Sequence, residues 1–526
     1  MKYLQYIVVA ICLITSSCSD FLEEYSQDTY YVTSYQDLDE LLIGDCYLPV
    51  HQASYLYQTS DPGFFIHFLG DEIEEQNDGT ARPYTGDKPK VFGYYTWQER
   101  GGQTPTYTGY VTENDTWTEI YRLINVANNI IESVDKVPQQ LAEEKLAVTR
   151  INGEARFIRG AYYFWLVNLY GKPYVSTTAT TDLGVPIKTI SKVNDIVYQR
   201  NTVQEVYNLV LSDLTQAERC LSQTGKAKSI YRADSIAVQL LLSRVYLYMQ
   251  NWEMAAKYAD KVLASKPQLV NMNKLEGSFL TKNSVENIFS MGGMETPCYM
   301  NYYYDCFRVS RDLFDSYEEE DLRKQLWWWT YNDFVGVMKT PSGSNYEGHD
   351  DPTDADFYYY NYMDGQRGEQ SEVSDKFLYR TAEAYLTKAE AEAYLENEPA
   401  ARSALNALRQ NRYKEGADYE VNATGEDLVK AIREERRKEL ALEGHRWFDL
   451  RRYGVCEKYP QSKRIVHDYT YYVDDYGYEM KERHRFVLEE KDPAYTLAIP
   501  YEVLDYNIGM PNNERPVRSY TLVPIN

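Results

Sequence analysis

Through much of the first half of the chain, apolar residues recur at steps of three and four, the period of a helix with one buried face. In DTWTEIYRLINVANNIIESV the stripe runs through Trp117, Ile120, Tyr121, Ile124, Ala127 and Ile131. NGEARFIRGAYYFWLVNLYGK predicts a second helix, stopped by Gly171 and Pro173. A helical pair follows at 233 to 265, broken at Asn251 and Trp252 and closed by Pro267. The same texture returns between 375 and 450, whereas residues 61–115, 270–374 and 455–526 lose the period and are rich in Gly, Pro, Asp, Asn and Tyr. The pattern predicts a mainly α fold, a helical scaffold at about 117–265 and 375–450 carrying a large irregular part with short strands. Long irregular segments on a rigid scaffold are where binding tends to reside. One short strand is expected in RKQLWWWTYNDF, where alternation sends Trp327 and Trp329 to one face and Trp328 to the other. Burying two rings removes more apolar area from water than burying one, so Trp328 is the ring expected outward.

The pair at 233 to 265 resembles a tetratricopeptide repeat. Leu242, Ser243 and Tyr246 lie on its first helix, small Ala255 comes nine residues after the tyrosine, and Pro267 ends the unit. A small residue is needed where two helices approach closely. In AEAYLTKAEAEAYLENEPAARSALNALRQNR, Tyr394 is followed at the same distance by Ser403, and Leu166 and Tyr170 repeat the Leu to Tyr spacing. Units this diverged predict a helical scaffold and not a uniform solenoid.

A formal net charge of −24 over 526 residues argues against nucleic acid, which requires clustered Lys and Arg, and against anionic partners in general. The 52 tyrosines, against 16 phenylalanines, favour a wet recognition surface, because Tyr packs a ring while offering a hydroxyl. At the start, MKYLQYIVVAICLITSSCSDFLEE has one early cation, Lys2, and an apolar run ending at Ile14. That run is shorter than the roughly 20 residues a bilayer span needs and fits a secretory signal over 1–17. Cys18 stands where a cleavage site would be and resembles the lipidated cysteine of bacterial lipoproteins, although Thr15 replaces the usual Leu of that pattern. Residues 18–526 are then expected as a single domain. Cys46, Cys220, Cys298, Cys306 and Cys456 form no C-x-x-C pair and have no His at zinc-ligand spacing. Spacing alone leaves open whether Cys298 and Cys306 close a loop.

No metalloprotease H-E-x-x-H, phosphate-loop or G-x-S-x-G motif occurs. A carboxylate pair for glycoside hydrolysis has no sequence signature, because only its spatial separation matters. The sharpest local pattern, AIREERRKELALEGHRWFDLRRYG, is read as a charged helix ending near Gly444, then a plug of Trp447 and Phe448. Glu435, Glu439, Glu443 and Asp449 lie close enough to pair its arginines within the segment, so a structural role is expected over a basic binding patch.

This segment resembles the C-terminal hallmark of the SusD/RagB family of Bacteroidetes surface lipoproteins, carried here by Glu435, Arg436, Glu439, Glu443, Gly444, Arg446, Trp447, Phe448, Asp449, Leu450, Arg451 and Arg452. CSDFLEE is similar to the family's lipidated start, GEARFIRGAYYFWLVNLYG to its early helix and LAIPYEVLDYNIGMPNNERP to its closing turn; GKPYV departs from the usual Gly-x-Val-Pro. The resemblance implies a binding protein without catalysis or cofactor. It would be held on the outer membrane by lipid on Cys18 and would capture oligosaccharide for a SusC-like TonB-dependent transporter. Family members often begin their ligand site in the segment that reads GDEIEEQNDGTARPYTGDKPKVFGYYTWQER here, which makes Asp71, Arg82 and Trp97 candidates. Tyr84, Tyr94 and Tyr95 would extend an aromatic platform for the apolar face of a sugar, and Tyr302 and Trp328 would contribute from the second irregular block. Trp117, on a clear helical stripe, is assigned to the core. Three other readings compete. Peptide capture would need an aliphatic cavity, a surface glycoside hydrolase would need two opposed carboxylates, one with a raised pKa, and a pure adaptor would have no concave aromatic site.

Overall fold

A computed structural model describes residues 32–50, 62–76, 88–107, 113, 115–192, 195–294, 300, 306–331, 333–340, 373–473 and 479–525. The predicted apolar stripe forms α1, Asp115–Ser133, which buries Trp117, Ile120, Ile124 and Ala127 as expected. Tyr121 and Ile131 are half-buried, and Leu123 and Ile130 complete the inward face. The next helix, α2, Ala142–Tyr170, starts some ten residues before the predicted stretch and ends at Gly171. From Phe157 to Tyr170 every residue is buried. A helix covered all round is an interior helix, and α2 packs against α1 on one side and α3, Val203–Leu221, on the other. Two glycines let α3 come close. A Cβ on Gly153 would lie 2.8 Å from Leu221 Cγ, and one on Gly160 would lie 3.1 Å from Leu214 Cδ2.

The scaffold continues through α4, Ser235–Tyr248, and α5, Trp252–Ser265, then α6, Thr381–Tyr394, and α7, Glu398–Arg409, each packed on the one before. The predicted break falls as expected. Gln250 takes a positive φ of 58°, and Asn251 caps α5 by accepting a hydrogen bond from Met254 N at 3.2 Å. Ala255 is fully buried, which fits its place at a close helix approach. Ser403 is exposed instead, and the small residues on the inner face of α7 are Ala401 and Ala404. The spacing counts from the tyrosine, whereas Pro399 and the helix start at Glu398 set which face turns inward. Two further helices close the array: α8, Gly425–Glu439, against α6, and α9, Arg446–Gly454.

Strands are short and antiparallel: β1, Ile73–Glu75, pairs with β3, Phe307–Val309, and β2, Asn287–Ser290, with β6, Leu378–Arg380. The last irregular segment holds more order than its composition implied. There β7, Ile465–Tyr472, and β8, Met480–Leu488, form a long ribbon extended by β9, Thr521–Val523. Charged Lys481, Arg483 and Arg485 alternate along β8 and dilute its apolar signal.

The tryptophan run departs from the parity argument. Trp327 precedes β4, Trp328–Tyr331, which pairs with β5, Phe334–Val337, and all three indoles are buried. Alternation applies to Trp328 and Trp329 alone, because Trp327 ends the preceding helical turn in αR backbone, and both faces of the ribbon are covered. Trp327 packs on Phe279, its ring beneath the Lys339 ammonium at 4.0 Å. Trp328 lies against Tyr317, so the ring expected outward is 3% exposed. Trp329 sits across the ladder from Gly336, where a Cβ would come within 2.1 Å of its Nε1. That glycine makes the room that a third buried indole requires.

Candidate ligand-binding region

Of the expected platform residues, Tyr94, Tyr95 and Trp97 fall on one body of structure between β1, the turn at Phe92–Tyr95 and β7. They meet as core. Tyr94 stacks on Phe65 at 4.0 Å and 5° and is 3% exposed. Tyr95 and Trp97 enclose His467 of β7 from two sides, with ring centroids 4.0 and 4.4 Å away. His467 Nδ1–H donates to Tyr95 O at 2.7 Å, and the Tyr95 hydroxyl accepts from Glu75 N at 2.9 Å. Burial holds the His467 pKa down at about 4, so the sandwiched imidazole is neutral. Trp97 is fully buried, donates Nε1–H to Leu69 O at 3.0 Å, and takes a φ of 52°. A bulky residue at positive φ is strained; here the stack and the indole hydrogen bond over-determine it.

Tyr94, Tyr95, Trp97 and Trp328 therefore offer no open ring face, which corrects their assignment as a platform. The physical reason is size: such rings bury the most apolar area per residue, and this part of the chain has few aliphatic side chains with which to build a core. Arg82, Tyr84 and Tyr302 lie outside the described residues, as does Cys298. On the segment that follows the predicted one, Tyr107 is 56% exposed; its neighbours in sequence carry no aromatic period, so only its place beside Gly and Pro could have singled it out.

Asp71 is also claimed internally. Its carboxylate receives Arg446 Nε and Nη2 at 2.6 and 2.9 Å and Lys463 Nζ at 2.6 Å, with Arg437 at 3.3 Å. Although burial opposes ionisation, these cations hold its pKa well below the usual carboxylate range. Glu72 beside it behaves in the opposite way. Burial, with Asp71 adding repulsion, raises its pKa to about 8, and it accepts a hydrogen bond from Leu442 N at 3.2 Å. One raised and one lowered carboxyl is the pattern a hydrolase would show. Here both groups are buried and Asp71 is saturated, so neither is presented to a substrate.

The hallmark segment is likewise structural, through partners other than those expected. Asp449 pairs with Arg436 and Arg452 of the segment at 2.8 and 2.7 Å. Glu439 instead gathers arginines from three other places: Arg323 Nη1 at 2.8 Å, Arg380 Nη1 at 2.5 Å, and Arg412 Nε and Nη2 at 2.9 and 2.8 Å. Glu443 pairs with Arg380 and Lys339, and Glu435 with Arg409. Trp447 and Phe448 are buried, as a plug should be. Elsewhere, an open groove of about 570 Å³ is lined by Val270, Asn271, Lys274, Leu275 and Val285; no expected site residue borders it.

A helical-repeat scaffold bearing a strand-and-loop part, tied together by a buried arginine–carboxylate network at its hallmark segment, defines a class of repeat-based folds. Two family models match in succession, one described as "Starch-binding associating with outer membrane" over residues 69–247 and one as "SusD family" over 278–515. The chain belongs to the SusD/RagB family. It is 23% identical over 505 residues to a SusD-like protein, P25, of Formosa agariphila, covering 86% of this chain and 90% of that one. A SusD superfamily structure from Bacteroides thetaiotaomicron superposes with a TM-score of 0.68 at 22% identity, over 92% of this chain and all of the other. A SusD-like carbohydrate binding protein from Bacteroides vulgatus gives 0.65 at 21%, over 91% and 98%. The fold is thus the mainly α, tetratricopeptide-like SusD fold. Among the described residues, no helix is long and apolar enough to cross a membrane.

Proposed function

We propose that the chain is a non-catalytic, surface-exposed outer-membrane lipoprotein that captures oligosaccharide and hands it to a SusC-like TonB-dependent transporter, with residues 18–526 as one domain anchored by lipid on Cys18. The observation that carries this reading is family membership extending over both the scaffold and the strand-and-loop part. The carbohydrate-binding Bacteroides vulgatus neighbour, similar in fold over nearly the whole chain, supports a glycan ligand. The internal use of Asp71 and the burial of Glu72 favour capture over hydrolysis.

Tyr107 is the exposed ring proposed for the recognition surface, since Tyr94, Tyr95, Trp97 and Trp328 are buried, and Arg82, Tyr84 and Tyr302 stay proposed from sequence alone. Two or three exposed rings with hydrogen bonds suffice for millimolar capture, about −4 kcal/mol, and weak capture suits a protein that must release its cargo. The test is a glycan array on residues 19–526, run beside membrane fractionation of the full chain and its Cys18→Ser variant. Binding of a glycan class without turnover, together with release of the variant from outer membranes, is expected. A protein that binds peptides but no glycan would overturn the ligand assignment, and a variant that stays with the membrane would overturn the anchor.

A further inference from the structure

Arg515 differs from every other buried arginine among the described residues: it has neither an ion pair nor a hydrogen bond. Its side chain is 8% exposed, and Nε and Nη2 are shut from solvent with no acceptor. Nη1 is the nitrogen that reaches solvent, because it has no acceptor and is not among the shut-off atoms. The acids nearest in charge are Glu113 and Asp492, and both are already committed. Asp492 receives Arg518 Nη1 and Nη2 at 2.7 and 3.0 Å and Ala494 N at 2.8 Å. Glu113 receives Arg100 Nη2 at 2.8 Å, Arg100 Nε at 3.4 Å and Tyr501 N at 3.2 Å. Three guanidinium groups, Arg100, Arg515 and Arg518, therefore face two carboxylates. Glu99, which accepts from the Tyr501 hydroxyl at 3.4 Å, brings the formal charges of the locality into balance, but none of the three carboxylates bonds Arg515.

An unpaired buried charge is expensive, and the interior lowers the Arg515 pKa to about 10 in consequence. Protein chemistry would remove such a group easily, since a methionine fills the same volume without the penalty. The place is also specific. Arg518 holds Trp97 O, at the strained residue of the segment in which the ligand site was expected, and Arg100 covers the ring of Tyr501 at 3.9 Å.

We propose that Arg515 is the seat for an acidic group on the captured ligand, a carboxylate or sulfate ester carried by an otherwise neutral oligosaccharide. Nη1, the nitrogen that reaches solvent, offers a charge-assisted N–H donor to an oxygen of either group. The overall negative charge then repels polyanions at long range, while the locality accepts one anionic substituent at a time. This rests on the glycan-binding reading above.

The test uses the chain from residue 19 onward and its Arg515→Met variant, with a trisaccharide of galacturonic acid, its sulfated counterpart and a neutral trisaccharide, by calorimetry. A second readout is the thermal midpoint of both proteins in sodium sulfate against sodium chloride at equal ionic strength. Wild type is expected to bind an acidic trisaccharide about tenfold more tightly than the neutral one, and the variant to lose that preference. The variant is also expected to melt no lower than wild type in chloride, and sulfate to raise the midpoint of wild type alone. Whichever acidic sugar is preferred identifies the source of the anion. Equal binding of neutral and acidic sugars with no sulfate response overturns the proposal while leaving glycan capture standing. A variant that melts lower yet keeps the acidic preference overturns it as well, and marks Arg515 as structural. If no sugar binds, glycan capture fails, and the sulfate response alone decides whether Arg515 takes an anion.

Discussion

Helices α2 to α8 and the strand-bearing part around β1, β3 and β7 both bury polar and aromatic side chains, with the weight placed differently. In the scaffold, charge goes inside with its counter-charge. Arg159 and Asp213 meet across α2 and α3 in a two-point contact at 2.7 Å each, and Glu439 is enclosed by three arginines. In the strand-bearing part a buried pair, Lys88 with Glu75 of β1, lies among packed rings: Tyr94 on Phe65, Tyr95 and Trp97 around His467, Phe68 edge-on to Phe307. The difference teaches where uniqueness comes from in each half. A buried ion network permits one pairing and punishes the loss of any member, whereas a ring stack is held by area and gives way in proportion to what is removed.

The largest effect is expected where the network is densest. Glu439→Gln removes one charge from among Arg323, Arg380 and Arg412, leaving buried guanidinium groups uncompensated, and should cost about 3–5 kcal/mol. Denaturant unfolding of the variant measures it. The cations hold the Glu439 pKa well below the ordinary carboxylate value, so its contribution is present above that ordinary value and is lost only as pH falls through the lowered one. A loss under 1 kcal/mol would mean that the network is not what joins α8 to β6 and the 411–413 turn.

Trp97→Ala tests the other half and comes next. Removing a fully buried indole costs about 3–5 kcal/mol in a core that cannot collapse, and alanine keeps the Cβ that makes the positive φ costly, so no strain is recovered. A loss of about 3–5 kcal/mol is expected, with the thermal midpoint as readout. A stable variant with weakened glycan retention would restore Trp97 as a binding residue and break the comparison.

How much of this was legible beforehand follows the same division. Helical period, the stop at Gly171, the break at Asn251 and the Trp447–Phe448 plug are local, and each could be read from spacing. The partners of Glu439 were not legible, since Arg323, Arg380 and Arg412 are contributed by segments up to 116 residues away. Asp71 and Trp97 were rightly gathered into one region and wrongly turned outward. An aromatic in a Gly- and Pro-rich stretch looks like a platform in one dimension, and whether it is one depends on what the fold lays over it, here His467 from the far end of the chain. Ser403 shows the same limit within the scaffold, where a correct spacing fell on the wrong face.

The smallest effect sharpens the comparison where the two halves touch. Glu72 follows Asp71 into β1 and is bonded by Leu442 N from the turn beyond α8; burial and Asp71 raise its pKa to about 8 against the pull of Arg437 and Arg446. The folded protein thus holds a proton there that the unfolded chain releases near its ordinary value of 4.5. A raised pKa stabilises fully below the unfolded value and loses that stabilisation as pH rises toward the folded one. Wild type should accordingly lose stability from Glu72 between about pH 4.5 and pH 8, while Glu72→Gln, with the same shape and no proton to lose, should not. His67 and His467, both lowered to about 4 by burial, act oppositely, withdrawing stability as pH falls from 6.5 toward 4. They are common to both proteins and cancel in the difference. Thermal midpoints from pH 5 to pH 8.5 should therefore show the variant gaining on wild type as pH rises. Parallel curves would place Glu72 in contact with water, and with it a solvent path into the seam between scaffold and strands.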